Sequence, residues 1–393
     1  MDFEKGQLRA LHRRSDLKGT AIFLLDLFLF AVFILLCIRS TSLLLKANYT
    51  ILAGVMTSLL FVVGHDACHQ SLTSRRWLNR LLGTVAFLPC LHAFSFWDLG
   101  HNRIHHGFTN RRGKDYVWEP LTYPEFVALS GFQRLKYRFF RTAVGHYWYY
   151  LCEIWWKKMF FPRRSTVGSY TTENVIDHVV LSIWMLLWPC TVMALTWLIS
   201  GRTAGAYELG ISVLLCCVAP FLIFNLLMSS VIYLHHMDPR VGWVSADARV
   251  DVPRLQLLSS VHVVFPYYTN LVFHRIMEHT AHHVRPGIPL YNLDEGQTLL
   301  EQHFSEIIVH KWSPLSHLDI LARCKLFDLD RRCWTGYDGV ATGPRVISDY
   351  LTGEQTASQS KPKILNDIPR QRRSLAPGVA AFWSKCRSNF QKE

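Results

Sequence analysis

Four long hydrophobic runs divide the chain, at about residues 20–38, 47–64, 175–200 and 209–234. Because an α-helix rises 1.5 Å per residue, each run covers roughly 27 Å or more, which is enough to cross the hydrocarbon core of a bilayer. The connections 39–46 and 201–208 are short, so the runs pair as two helical hairpins. The pattern predicts an all-α membrane protein with four transmembrane helices in two hairpins.

The basic residues predict how these spans are oriented. They gather in the N-terminal segment 1–19 and in the long segment 65–174, whereas the two short connections hold only Arg39, Lys46 and Arg202. Cytoplasmic loops of membrane proteins carry an excess of Lys and Arg. We therefore expect both termini and the central segment to be cytoplasmic.

The segments outside the spans complete the predicted architecture. Residues 65–174 and 235–339 are expected to form a cytoplasmic helical cap, so that the functional domain covers 20–339. Residues 340–393 are polar and basic, and this composition predicts a flexible tail that follows the domain.

Two features of the apolar runs depart from a plain span. Asp26 lies inside the first run, close to its predicted cytoplasmic end, where we expect its carboxylate to reach water. A shorter apolar stretch, 81–97, is interrupted by Pro89 and His92. Its length and interruptions favour an interfacial or re-entrant helix over a fifth span.

Composition narrows the class of protein further. Half of the residues (50%) are hydrophobic, 18% are charged, and the net charge is +13. Since much of this charge lies beside apolar runs, it indicates contact with anionic lipid and no nucleic-acid partner. The cysteines show no CxxC pairs, so we interpret them as reduced apolar side chains. Residues 1–19 resemble neither a signal nor a transit peptide, which favours a bacterial inner membrane.

Nine histidines stand out because they lie in three clusters and at the end of the fourth run. Neutral imidazole is the commonest metal-binding side chain, and nine such ligands are too many for one ion but enough for two. The predicted topology places all of them on one side of the membrane. The predicted metal ligands are His65, His69, His101, His105, His106, His236, His279, His282 and His283.

The spacing within the clusters predicts how the rings are presented. His65 and His69 are four residues apart, as are His101 and His105, so each pair would share one face of a helix. His106 would then need a kink to join them. The third cluster has the i, i+3, i+4 spacing of a single helical stripe. Of His235 and His236, which would point apart, we favour His236 as the ligand.

Three further residues are candidates to hydrogen-bond the ligand rings at the nitrogen that does not bind the metal. Asp66 and Glu278 each flank a ligand histidine, and a carboxylate there could fix the tautomer of the ring. His274 is a third candidate for such a supporting position. Beyond the imidazoles, no protein group is expected to take part in catalysis directly.

The ligand types leave the metal open, but they exclude several enzyme classes. Imidazole suits Zn, Cu, Fe and Ni, while a zinc site would need only three or four ligands. The chain has no Glu-x-x-His pairs, as carboxylate-bridged diiron bundles have. It also has no HExxH, GxSxG, P-loop or GxGxxG motif, which excludes the common hydrolases, ATPases and dinucleotide-binding enzymes.

The three clusters resemble the histidine boxes of the membrane fatty acid desaturases, a pattern shared with alkane hydroxylases and carotenoid oxygenases. The likeness extends over roughly 17–339. The segment 106–120, with HGFTN followed by Gly113, Asp115, Trp118 and Pro120, is similar to the one after the second box in acyl-lipid desaturases of the Δ12 type. The segments 287–291 and 233–239 resemble stretches of the same family, and the second aligns His236 with an additional ligand.

This resemblance implies an O₂-dependent desaturase with two iron ions that introduces a cis double bond into a lipid-linked acyl chain. Electrons would come from a ferredoxin or a cytochrome b5-type donor, since the chain has no haem or ferredoxin motif of its own. Membrane phospholipid would supply the acyl chain. The residues that could contact the substrate or its headgroup are Asn110, Arg111, Arg112, Asp115 and Trp118.

Two alternatives stay open. Three residues separate His101 from His105, where many desaturases have two, and this longer spacing also occurs in alkane hydroxylases. The same diiron chemistry could therefore hydroxylate or ketolate an alkyl chain or carotenoid. A membrane carrier of haem or metal is a more remote alternative, because it would place ligands on both faces of the membrane or along a path through it.

Overall fold

A computed structural model describes residues 10–162, 170–266, 269–348 and 350–351. Four of its helices are long and apolar enough to cross a membrane, as the four hydrophobic runs predict. Their bounds are Asp16–Arg39 (α1), Leu43–Cys68 (α2), Thr172–Ile199 (α9) and Ala206–His236. The last of these consists of α10 (Ala206–Val213), a π-helical turn Leu214–Val218 and α11 (Ala219–His236).

The second span, α2, lies at the centre of the membrane-spanning helices. It packs against both α1 and α11, and 78% of its most apolar window is buried, against 33% for α1. Gly54 allows the close approach to α11, because a Cβ atom there would lie 2.6 Å from the Ile223 side chain. The outer helices keep apolar side chains exposed, as helices in contact with lipid do.

The start of α1 is tied to the chain that follows α2. Ser15 caps the helix by accepting a hydrogen bond from the Lys18 backbone. The Asp16 carboxylate accepts hydrogen bonds from Ser74 and Arg75. These contacts hold the beginning of the first span beside the residues that follow the first histidine cluster.

The chain between the second and third spans folds into short helices. The stretch 81–97 is not a span: one helix ends at Phe87, and the chain turns through Leu91, whose φ is +51°, before the next helix begins. The α-helices are α3 (Arg76–Phe87), α4 (Phe94–Trp97), α5 (His106–Phe108), α6 (Tyr123–Ala128), α7 (Gly131–Phe140) and α8 (Gly145–Tyr149). Two π-helical segments, Asp98–His105 and Tyr150–Phe160, continue α4 and α8.

The chain after the fourth span combines helices with two small sheets. Strand β1 (Val261–Val264) pairs in parallel with β2 (Ile308–Lys311), and β3 (Leu326–Asp328) pairs antiparallel with β4 (Cys333–Thr335). The all-α prediction therefore overlooked these four short strands. The helices are α12 (Val252–Leu258), α13 (His279–Val284), a 3₁₀ turn Leu290–Asn292, α14 (Leu293–His303) and α15 (Pro314–Arg323).

Large aromatic side chains join the end of the fourth span to this C-terminal part. Trp118, Tyr233 and Trp334 are fully buried in one hydrophobic cluster, and the Trp334 indole donates a hydrogen bond to the Val241 carbonyl. The chain stays packed past the predicted domain end at 339, since Tyr350 is also buried. Residues 352–393, for which we predict a flexible tail, lie outside the described residues, as do residues 1–9.

Asp26 does not reach water, contrary to our expectation. Its side chain is buried in α1, and Oδ2 lies 2.6 Å from Nε2 of His274. An acid within a span is stabilised when a polar partner satisfies it. His274 therefore anchors the loop before the third histidine cluster to the first span.

Candidate metal centre

All nine predicted ligand histidines come together at one end of α2 and α11. Eight of them form two groups in which the candidate ligand atoms all lie within 4.8 Å of one another. Group one contains His65, His69, His101 and His282, and group two contains His105, His236, His279 and His283. His106 is the ninth, and its Nε2 atom lies 3.1 Å from Nε2 of both His101 and His282, which places it with group one.

The second cluster is divided between the groups because its backbone is π-helical. In a π-helix the backbone N–H of residue i+5 bonds to the carbonyl of residue i, so residues five apart are neighbours. The N–H of His106 donates to the carbonyl of His101 in this way. His101 thus pairs with His106, while His105 turns to group two. The expectation that His101 and His105 share one helical face was wrong.

The third cluster is also divided. His279 and His283, one α-helical turn apart, both belong to group two, whereas His282 belongs to group one. The helix α13 therefore lies between the groups and contributes to each of them, instead of presenting a single stripe. The first cluster follows the prediction, because His65 and His69 stay together.

The Nε2 atoms of His105 and His236 face each other with no hydrogen available between them. His105 donates Nδ1–H to the Asp115 carboxylate, and His236 donates Nδ1–H to the Ser259 carbonyl. A neutral imidazole carries only one N–H, so both Nε2 atoms must present lone pairs. Those two atoms are 3.2 Å apart. Two lone pairs at this distance repel each other, and a cation bound by both nitrogens would remove the repulsion.

The separations of the nitrogens fit a metal with more than four ligands. Neighbouring Nε2 atoms within the two groups lie 2.8 to 3.2 Å apart. Two nitrogens bound to one ion at about 2.1 Å are about 3.0 Å apart at a right angle and about 3.4 Å apart at a tetrahedral angle. The distances between the nitrogens therefore fit a metal with more than four ligands better than a tetrahedral zinc ion.

Burial keeps the ligand rings in the neutral form that binds metal. It lowers the pKa of six ligand histidines well below 6.5, and the positive charge that neighbouring histidines would carry lowers it further. The histidines with a lowered pKa are His69, His101, His106, His279, His282 and His283.

Gln256 connects the two groups, and sequence reasoning missed it. Its Nε2 donates to the carbonyl of His106 at 2.6 Å, which fixes the orientation of the amide. Its Oε1 then accepts Nδ1–H of His283 at 2.8 Å. Gln256 and Ser259 lie in and after α12, where no local motif marks either residue as a partner of a histidine.

Of the three predicted supporting residues, one lies beside a ligand. An oxygen of Asp66 is 3.5 Å from Nδ1 of His65, and its other oxygen accepts the Leu290 N–H at 2.6 Å. Glu278 instead accepts a hydrogen bond from Asn270 and contacts no ligand histidine through its carboxylate among the described residues. His274 pairs with Asp26, away from the groups.

Asp115, which we predicted to contact the substrate, is instead hydrogen-bonded to a ligand histidine. Both of its oxygens lie 3.1 Å from Nδ1 of His105, and the carboxylate also accepts the backbone N–H of Asn110 and of Val117. Asn110 in turn donates from its side chain to the Gly242 carbonyl. Asn110 and Asp115 therefore form a buried support beneath His105.

The other predicted headgroup residues do not form a common surface. Arg112 is paired with Glu125 and Glu119, and Arg111 forms a backbone bridge with Val244. Trp118 is fully buried and stacks on Tyr149 with the ring centroids 4.4 Å apart. The structure therefore places Trp118 in the hydrophobic core, where it cannot meet a lipid headgroup.

His236 lies in group two, whereas His235 lies in neither group. Nε2 of His236 is 3.0 Å from Nε2 of His279. The ring of His235 stacks on that of His279, and its Nε2 faces the sulfur of Met277 at 3.3 Å. The two neighbours thus point apart at the end of α11.

Comparison with known proteins identifies the family. A model of the fatty acid desaturase family matches residues 42–314, which include all nine histidines and more than half of the chain. The chain belongs to the fatty acid desaturase family. This match confirms the resemblance that the histidine boxes and the segments around them indicate. The protein is therefore a desaturase, which is a membrane oxidoreductase.

Curated relatives of the desaturase agree with this assignment at moderate identity. The sn-1 oleoyl-lipid 12-desaturase of Picosynechococcus sp. is 28% identical over 284 residues, covering 71% of this chain and 76% of that protein. The enzyme of the same name from Synechocystis sp. is 27% identical, covering 70% and 74%. The chloroplastic omega-6 fatty acid desaturase of Spinacia oleracea is 24% identical, covering 70% and 58%.

Proposed function

We propose that the desaturase introduces a cis double bond into the acyl chain of a membrane lipid, with two iron ions in its histidine groups. In the net reaction two neighbouring methylenes lose one hydrogen each, and O₂ is reduced to two waters. Two electrons and two protons must be supplied from outside. The names of its relatives, acyl-lipid 12-desaturases and omega-6 desaturases, favour the methyl-side part of the chain as the position of the new bond.

The convergence of nine imidazole rings into two groups carries this proposal. Group one with His106 offers five imidazoles, and group two offers four. A pair of iron ions bound there would supply the O₂-dependent redox chemistry that removal of hydrogen from an unactivated methylene requires. Neutral ligands suit this task, because they can stay bound in more than one oxidation state of the metal.

The protein's own residues orient the ligands and keep water out. Asp115, Ser259 and Gln256 each hold the Nδ1 atom of one ring, so that Nε2 points to the centre. Trp97 is buried and stacks on the ring of His101, with centroids 4.8 Å apart. Such outer partners typically change metal affinity or activity 10- to 100-fold when removed.

The membrane arrangement belongs to the same proposal. The short connections between α1 and α2 and between α9 and α10 support two hairpins. The basic central segment supports cytoplasmic termini, with the histidine groups under a cytoplasmic cap. A reduced ferredoxin or cytochrome b5-type carrier could then approach from the cytoplasm. An inner bacterial membrane would provide the acyl-lipid substrate.

Mass spectrometry of membrane fatty acids tests the proposed reaction. A bacterial host that supplies oleoyl lipids would express the chain together with a ferredoxin and its reductase. We expect a new diene, absent with His105→Ala and present with His303→Ala, which changes an exposed histidine outside the groups. A product that gains oxygen instead of losing two hydrogens would show that the enzyme catalyses hydroxylation and not desaturation.

A further inference from the structure

A cavity of about 340 Å³ lies at the beginning of the first span, outside the histidine groups. The residues just before α1 and its first turn form one wall, and the 3₁₀ turn after the third histidine cluster forms the other. Its charged and polar lining includes Arg13, Arg14, Lys18, Tyr291, Asn292 and Glu295. Among the described residues, no hydrogen bond or ion pair joins any of these side chains to a ligand histidine.

The cavity is strongly positive. Arg13, Arg14 and Lys18 face a single carboxylate, Glu295. Within the described part of the chain, no ion pair involves any of these three cations, although Lys18 lies over the ring of Tyr291 at 5.4 Å. Burial, together with the charges of Arg285 and Arg14, lowers the pKa of the neighbouring His12. An anion would therefore be attracted to this cavity.

The cavity opens where the lipid-facing surface begins. Leu17, next to Lys18 on the first turn of α1, is 80% exposed, and α1 continues as an apolar span. Cations at the end of a span lie at the level of the lipid headgroups. Two arginines side by side suit a phosphate, because the planar guanidinium donates two parallel hydrogen bonds to its oxygens.

Two neighbouring residues, Leu290 and Tyr291, connect the cavity wall to the chain around the first histidine cluster. The Tyr291 hydroxyl accepts from the backbone of Ser15 and donates to the carbonyl of Leu72. The preceding residue, Leu290, donates its N–H to Asp66, whose carboxylate lies beside His65. These contacts fix the position of the cavity wall relative to the first histidine cluster.

We propose that this cavity binds the phosphate of an anionic group at the membrane surface, through Arg13, Arg14 and Lys18. The phosphate can belong to a lipid headgroup or be free phosphate, since the three cations recognise the same chemistry in both. That the bound lipid is also the acyl substrate rests on the function proposed above. The binding itself does not.

Native mass spectrometry of the iron-loaded protein in detergent tests the binding. The probes are phosphatidylglycerol, the zwitterionic phosphatidylcholine, and inorganic phosphate. The test variant is Arg13→Gln/Arg14→Gln/Lys18→Gln. The matched control, Arg76→Gln/Arg249→Gln/Lys311→Gln, removes the same formal charge from exposed positions outside the cavity. A third variant, Arg13→Lys/Arg14→Lys, keeps the charge and removes the guanidinium forks.

We expect the wild type and the control to retain phosphatidylglycerol more strongly than phosphatidylcholine, and the test variant to bind it about tenfold more weakly. The lysine variant should fall between them. If inorganic phosphate binds the wild type as strongly as phosphatidylglycerol does, and the test variant does not bind it, the ligand is the free ion. Unchanged retention in the test variant, or an equal loss in the control, would overturn the proposal.

The binding assay involves no turnover, so it separates this inference from the proposed function. A chain that binds phosphatidylglycerol through the cavity but forms no double bond would contradict the proposed function alone. A chain that forms the double bond but binds the lipid without these cations would contradict the cavity alone. Iron content and the melting temperature of each variant show that the changes leave the fold intact.

Discussion

His105 donates its Nδ1 hydrogen to Asp115, whose two carboxylate oxygens both lie 3.1 Å from that nitrogen. Both side chains are buried. The contact determines which nitrogen of the ring faces group two, and it raises the basicity of that nitrogen. Asp115 is in turn fixed by backbone N–H groups, so the orientation of His105 depends on a rigid loop.

Replacing Asp115 with Asn should weaken the centre without unfolding the protein. The amide can still accept a hydrogen bond, but the negative charge opposite the ring is lost. We expect iron affinity or turnover to fall about 10- to 100-fold. Iron content and product yield measure this, with the exposed Asp247→Asn as the control. Full iron occupancy and activity in Asp115→Asn would show that the carboxylate does not support His105.

Gln256→Leu should affect both histidine groups at once. The leucine cannot accept from His283 or donate to the carbonyl of His106, and both partners would be left buried without a hydrogen bond. Such an unsatisfied group destabilises a protein by about 1–3 kcal/mol. We expect iron to be lost from both groups, as measured by iron content, and no loss in Gln302→Leu on the surface of α14. Loss of only one iron would mean that Gln256 supports one group.

Gly100→Ala and Gly107→Ala form a matched pair on either side of the second histidine cluster. A Cβ atom at Gly100 would lie 2.5 Å from the Tyr116 hydroxyl and 2.8 Å from the Met159 methyl, whereas at Gly107 it would meet nothing within 4 Å. Overpacking costs about 1–3 kcal/mol. We predict a lower melting temperature and less iron for Gly100→Ala only. Equal behaviour of the two variants would contradict the close packing behind His101.

The pair of Asp26 and His274 should contribute to stability as a unit. Removing one partner leaves the other buried and unsatisfied, at a cost of about 1–3 kcal/mol. Thermal unfolding of Asp26→Leu, His274→Leu and the double variant, whose leucine side chains form no hydrogen bond, measures the coupling between them. We expect the double variant to lose less than the sum of the two single changes. Simple additivity would show that the two side chains act independently.

The sequence predicts best what depends on a continuous local pattern. The spans were predictable because each is a long, mostly apolar run. The helices are longer than the predicted runs 47–64 and 209–234, since the second and fourth spans cover Leu43–Cys68 and Ala206–His236 and extend into the neighbouring histidines. The ligand candidates were visible because the histidines are clustered. His236 could be preferred to His235 because adjacent residues on a helix point apart.

Other features depend on backbone geometry and on contacts between distant segments. The pairing of His101 with His106 requires a π-helical segment, which the i, i+4 spacing does not reveal. Asp115 was visible in a motif, but its partner could be known only from the folded loop. Gln256 lies 150 residues from His106 along the chain. No local pattern of residues relates two positions so far apart.

The metal content of the purified protein tests the central claim most directly. Mass spectrometry of the metals should find about two irons per chain in the wild type, because the donors form two groups of imidazoles at expanded coordination. His282→Ala, in group one, and His283→Ala, in group two, should each lower that content. One zinc per chain, or an iron content unchanged by both substitutions, would contradict the account of two adjacent histidine-bound irons.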